Sequence, residues 1–207
     1  RYEGAEKLKG MIFWSASFSG AKAVPNSYSV SLMVNGKEQS QKFDILPDPR
    51  SEVTVTDMQK QFDFVNEVNQ TVDKAHKAIK NIREVRSKLD DFAKQNKADE
   101  TAKQIVDQAK DIQEKLLEVE KTLYQIQNRS RQDPLNFPVR LTNKLGHLNR
   151  LITMDDFPPT DQDITVKNVI SAEIQVAMKE YQKLIDTNVA AFNTAFKNEK
   201  RSYLNIK

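Results

Sequence analysis

The amino-acid sequence predicts a mainly α protein, α+β overall: an antiparallel bundle of long helices carrying a small N-terminal antiparallel β unit. Three observations point there. With 5 Gly and 7 Pro in 207 residues, the chain has about half the usual share of these two residues, which favours long uninterrupted elements. Beyond residue 56, apolar side chains recur at helical steps of three and four. Residues 1–50 follow a different grammar: they hold the single Trp, most of the glycines and three prolines, and they alternate with period two.

Taken in order, the β unit comes first. Tyr28, Val30, Leu32 and Val34 alternate with Ser29, Ser31 and Met33, as in a half-buried strand. Asn35-Gly36 follows, and both residues tolerate the positive φ of a type I′ turn. The return strand is then Lys37 to Ile45, with Val34 opposite Lys37 and Tyr28 opposite Phe43. Met11 to Phe18 is a third candidate strand. So small a sheet is marginal alone, and it is expected to lean on something else. Pro47-Asp48-Pro49-Arg50 ends the strand region, because neither Pro donates to a ladder. The expected division is therefore 1–50 for the β unit and 51–207 for the bundle.

Thr56 or Asp57 can cap the first helix. Its stripe runs through Met58, Phe62, Val65, Val72, Ala75, Ile79, Ile82, Leu89 and Phe92 to about Gln95, a rod of roughly 58 Å. Asn96 to Asp99 reads as a turn, with Asp99 as the next N-cap. The second helix has the stricter seam: Ala102, Ile105, Ala109, Ile112, Leu116, Val119, Leu123 and Ile126 keep heptad spacing. After a break at Asn128 to Pro138, a short helix is expected from about Pro138, with Leu141, Leu145, Leu148 and Ile152 inward. Gly146 inside it costs about 1 kcal/mol relative to Ala, so it is expected to mark close contact with a neighbour. A loop spans Asp155 to Thr165, and a last helix runs from about Thr165 towards Tyr203, with Phe192 and Phe196 on its stripe. Such one-sided helices fold back on one another as a bundle.

Composition excludes several classes. Lys and Arg number 32 against 29 Asp and Glu, a net charge of +3, and the charges are evenly spread, so no nucleic-acid arm is expected. Apolar runs of a few residues are far short of the roughly 20 needed for a membrane span. Zero Cys excludes disulfides and thiol catalysis. Of the two histidines, His76 and His147, neither sits in HExxH or has a partner at metal-ligand spacing. Asp155, Asp156, Asp161 and Asp163 cluster without EF-hand spacing, and are expected to be solvated and to cap the next helix. No nucleophile elbow or phosphate loop occurs, and no carboxylate pair stands out for glycoside hydrolysis. No catalytic, cofactor or metal residue is assigned.

The densest unusual stretch is Asn128 to Leu148. Asp133-Pro134 and Asn136-Phe137-Pro138 are helix-start signals, and Arg129, Arg131 and Arg140 are placed to reach carbonyls or acids nearby. The stretch is expected to act as a structural lock between the second and third helices, built from Arg131, Asp133, Pro134, Asn136, Pro138, Arg140 and Asn143.

Ser130-Arg-Gln-Asp-Pro-Leu-Asn-Phe-Pro138 with Leu141-Thr-Asn-Lys-Leu145 resembles the "SRQDPLNFP(I)RLNNKL" signature of bacterial proteins with BNR/sortilin-like (WD40/YVTN-type) repeats, often labelled glycosyl hydrolases. Tyr28 to Leu32 through Asn35-Gly36-Lys37, ending in Asp48-Pro49-Arg50, is similar to that family's "PGTYTVRLTVDGK…DPR" element. Arg1-Tyr-Glu-Gly-Ala5 is similar to its "WDLRYPGA" strand. The chain departs from the pattern at Pro25-Asn26, where Gly is expected after Pro. The resemblance implies a truncated Ig-like β unit, a periplasmic or extracellular location, and an upstream propeller domain of the same polypeptide as partner. The chain begins at Arg1 with no initiator Met, so the expectation is either that something upstream was removed or that this is a piece of a longer protein. The expected role is a non-catalytic accessory or scaffolding module that braces a propeller or meets a protein or glycan. The alternatives are a free-standing coiled-coil adaptor for a partner helix, or a region lending residues to a glycan-processing propeller site. No cofactor, nucleic acid or membrane span is expected.

Overall fold

A computed structural model of the chain describes residues 1–198. It contains a two-stranded antiparallel sheet, β1 (Asn26–Val34) and β2 (Lys37–Ile45). Five helical segments follow: α1 (Val55–Gln95), α2 (Lys103–Leu123), α3 (Leu141–Ile152), α4 (Asp161–Leu184) and α5 (Ala190–Asn198). A π-helical turn at Ile185–Val189 joins α4 to α5, so these two form one rod. The expected end of that rod near Tyr203 lies outside the described residues.

The helices make a three-rod bundle whose middle rod is broken. At 1.5 Å per residue, the 41-residue α1 is about 61 Å long. No single return helix matches it; α2 and α3 run back along it one after the other. Glu120 of α2 meets Arg83 and Arg86, while Asn149 of α3 meets Asn69 and the carbonyl of Ile152 meets Gln61. The α4–α5 rod then runs parallel to α1: Lys167 pairs with Glu67, Tyr181 with Asn81, and Phe192 and Phe196 with Phe92. The core is continuous through all three rods, and the α2 seam from Ala102 to Leu123 is wholly buried inside it. Ile126, expected to extend that seam, lies past the helix end at Tyr124, whose backbone is extended.

Local signals account for the helix starts. Thr54 caps α1 through the amide of Asp57, two residues before the expected cap. Asp99 caps a single 3-10 turn, Glu100–Ala102, that leads into α2. Thr160 and Asp163 form a reciprocal capping box, so α4 begins at Asp161 rather than Thr165. The acidic loop thus divides. Asp163 caps, Asp156 pairs with Lys22, and Asp155 accepts from the amide of Phe157. Asn136-Phe137-Pro138 does not start α3. Asp133–Leu135 is a separate 3-10 turn with Pro134 near its start, and α3 opens at Leu141 behind Arg140, which supplies no side-chain cap.

The hairpin has the expected register, Val34 opposite Lys37 and Tyr28 opposite Phe43. Asn35 and Gly36 take φ of 50° and 77°, as the type I′ turn requires. Its apolar face is not covered by the bundle: Val30, Leu32, Val34 and Phe43 are all exposed. The third expected strand is absent. Met11 to Phe18 is irregular coil, and residues 1–24 pack against the helices, burying Ala5, Phe18, Ala21 and Val24. Its apolar run forms no strand; side chains of the bundle and scattered backbone contacts satisfy its backbone instead.

Among the described residues no helix is long and apolar enough to cross a membrane.

Candidate functional site: a polar clasp on the N-terminal coil

A buried backbone needs a partner for nearly every N–H and C=O, and a coil crossing a helical bundle has no ladder to provide them. Here most of the partners are side chains of α1, α3 and the C-cap of α2, with one backbone carbonyl of α3 and two backbone bonds within the coil itself, Tyr2 to Ala21 and Ala5 to Phe18. The amide of Asn143 takes Trp14 by both groups: Oδ1 accepts from its N–H at 2.7 Å and Nδ2 donates to its carbonyl at 2.9 Å. The Tyr124 hydroxyl accepts from the N–H of Ile12 at 2.8 Å, and the Gly146 carbonyl accepts from the N–H of Ser17 at 2.8 Å. Asn149 donates to the carbonyl of Ser17, Asn69 to that of Ser19, and His147 lies 2.8 Å from that of Ser15.

Two aromatic rings plug the clasp. Phe18 is 3% exposed and stands edge-on to Phe13 and His76, at 4.6 and 5.4 Å. A Cβ on Gly146 would lie 2.6 Å from the Phe18 ring, so α3 needs Gly there to admit the coil. The close approach expected at Gly146 is this contact. Nδ1 of His76 faces the carbonyl of Glu6, and the ring is fully buried. Burial holds its pKa below the usual value, while the Glu6 carbonyl and nearby Asp73 pull it up; burial prevails. With Nδ1 facing the Glu6 carbonyl, Nε2 is left buried without a hydrogen-bond partner.

The residues of the expected lock divide into two groups. Asp133 ties its own loop, accepting from the N–H groups of Arg129 and Ser130 and from the Ser130 hydroxyl. These bonds hold its carboxyl below the ordinary range. Pro134 is the second residue of the 3-10 turn, Asn136 caps its end, and the Pro138 carbonyl accepts from Gln125 at 3.0 Å. Arg131 and Arg140 are exposed. Asn143 stands apart from that loop and belongs to the clasp. Sequence reasoning did not single out Asn69, Tyr124 or Asn149 as its companions. The one available signal was a polar residue at a core position, as at Asn149 between Leu145 and Ile152.

Below the clasp lies a buried carboxylate. Glu120, 2% exposed, accepts from Arg83 Nε at 2.7 Å and Arg86 at 3.2 Å, and the Arg83 guanidinium sits 5.5 Å from the Tyr124 ring centre. Among the described residues no group of three or more His, Asp or Glu is arranged to hold a metal ion. No protein-family model matches the chain, and no curated protein or solved structure matches it either.

Proposed function

We propose that this chain is a non-catalytic C-terminal accessory module, a rigid helical scaffold within an exported repeat-propeller protein. The observation that carries the reading is the clasp. Asn143 and Asn149 of α3 are turned onto the chain's own backbone, where they hold Trp14 and Ser17 of the coil to the bundle. A segment fixed in this way holds whatever adjoins it in one orientation. The exposed hairpin adds a second support, since two open edges and an apolar face are what a neighbouring β unit would cover. The three motif resemblances supply the propeller and the exported location. A partner helix has no place on the α2 seam, which the chain's own rods fill.

The test joins and separates the parts. The polypeptide encoded ahead of Arg1 is prepared with and without this chain, and its melting temperature and its turnover of chromogenic glycosides are measured. A higher melting temperature in the joined form, with no turnover by this chain alone, supports the reading. Turnover by this chain alone, an indifferent melting temperature, or an upstream sequence without repeats overturns it.

A further inference from the structure

The charges around Glu120 do not balance. A cleft of about 330 Å³ opens beside it, lined by four cations, Lys9, Arg83, Arg86 and Arg129, and by this single carboxylate. Both Glu120 oxygens are engaged, each by one guanidinium. A guanidinium carries five N–H donors, so most donors of Arg83 and Arg86 remain for something else. Lys9 makes no ion pair among the described residues, and the Arg129 side chain is exposed.

Two polar atoms in the cleft wall have no partner. Arg86 Nε is a buried donor and Asn128 Oδ1 a buried acceptor, and neither makes a hydrogen bond. Asn128 is 7% exposed, and its Nδ2 reaches the Ile12 carbonyl only at 3.5 Å. Buried polar groups of this kind are almost always paired in folded proteins. A donor and an acceptor without partners, beside four cations that share the single Glu120 carboxylate, describe a ligand with both an anion and a hydroxyl.

We propose that this cleft binds a small hydroxylated oxyanion, a sugar acid or a sugar phosphate. The guanidiniums of Arg83 and Arg86 present forked donors that suit a planar carboxylate or a phosphate. Lys9 and Arg129, exposed residues of the coil and the α2–α3 loop, line the same cleft and add their charge to it. Asn128 accepts from a ligand hydroxyl. The proposal does not rest on the scaffolding role: the cleft lies where the coil, α1 and the end of α2 meet, shares Tyr124 with the clasp, and uses neither the hairpin nor Asn143.

Isothermal titration at low salt tests it with three probes: glucuronate, glucose 6-phosphate and glucose. Saturable binding of either acid, with glucose at least tenfold weaker, is the expected result; which acid binds identifies the anion. Lys9→Gln and Arg129→Gln, neither of which contacts Glu120, should each weaken binding by about fivefold at an unchanged melting temperature. Lys110→Gln, on the outer face of α2, should leave it as it was. Failure of both acids to bind at millimolar concentration overturns the proposal. So does glucose binding as well as the acids, or a Lys110→Gln effect equal to that of Lys9→Gln.

Discussion

The N-terminal coil and the hairpin that follows it are opposite solutions to one shortage. Neither segment is long enough to build a core. The coil satisfies its backbone largely with other elements' side chains and buries Phe18 to 3% exposure. The hairpin satisfies its backbone within itself and leaves Leu32 and Val34 at 62% and 54% exposure. Regular hydrogen bonding therefore does not locate the stabilising contacts in this protein. The segment without secondary structure is the anchored one, and the segment with an ideal turn is the arm.

Substitutions that attack the coil should accordingly be severe and those on the hairpin mild. Phe18→Ala empties the site between Phe13, His76 and Gly146, and should destabilise the chain by about 3–5 kcal/mol in denaturant titration. Asn143→Ala strips both hydrogen bonds from Trp14. Because Trp14 is 42% exposed, water relieves part of the loss, and about 1–2 kcal/mol is expected.

His76 gives the comparison a pH axis. Its pKa is depressed from 6.5, chiefly by burial, so the unfolded chain binds the proton more readily. Its contribution is complete above that value and is lost as pH falls below 6.5 towards the folded-state pKa. Thermal melts over this range should show a fall in the wild type that His76→Gln flattens. Leu32→Ser on the open face of the hairpin should change stability least, by under about 0.5 kcal/mol. A larger loss there would mean that the hairpin is already covered.

The rods were legible because burial imposes a period. The α2 seam is an unbroken heptad run from Ala102 to Leu123, and Asn35-Gly36 alone sets the hairpin register. The coil was not legible, because Met11 to Phe18 has the composition of a strand and nothing local reports that it forms none. Its partners Asn69, Tyr124, Asn143 and Asn149 come from three different elements, so no spacing unites them. Gly146 was the exception. A glycine inside a helix needs a close neighbour to explain it, and Phe18 is that neighbour. The Glu120 cleft stayed hidden for the same reason as the clasp: Lys9, Arg83, Glu120 and Arg129 are solvated charges in sequence and converge only in the fold.

Amide hydrogen exchange tests the clasp most directly. Ile12 and Trp14 lie in no helix or strand, yet their N–H groups are bonded to Tyr124 and Asn143. Both should exchange as slowly as amides inside α3, and Asn143→Ala should release Trp14 while leaving Ile12 largely protected. Exchange of both amides at free-peptide rates in the wild-type chain would contradict the account.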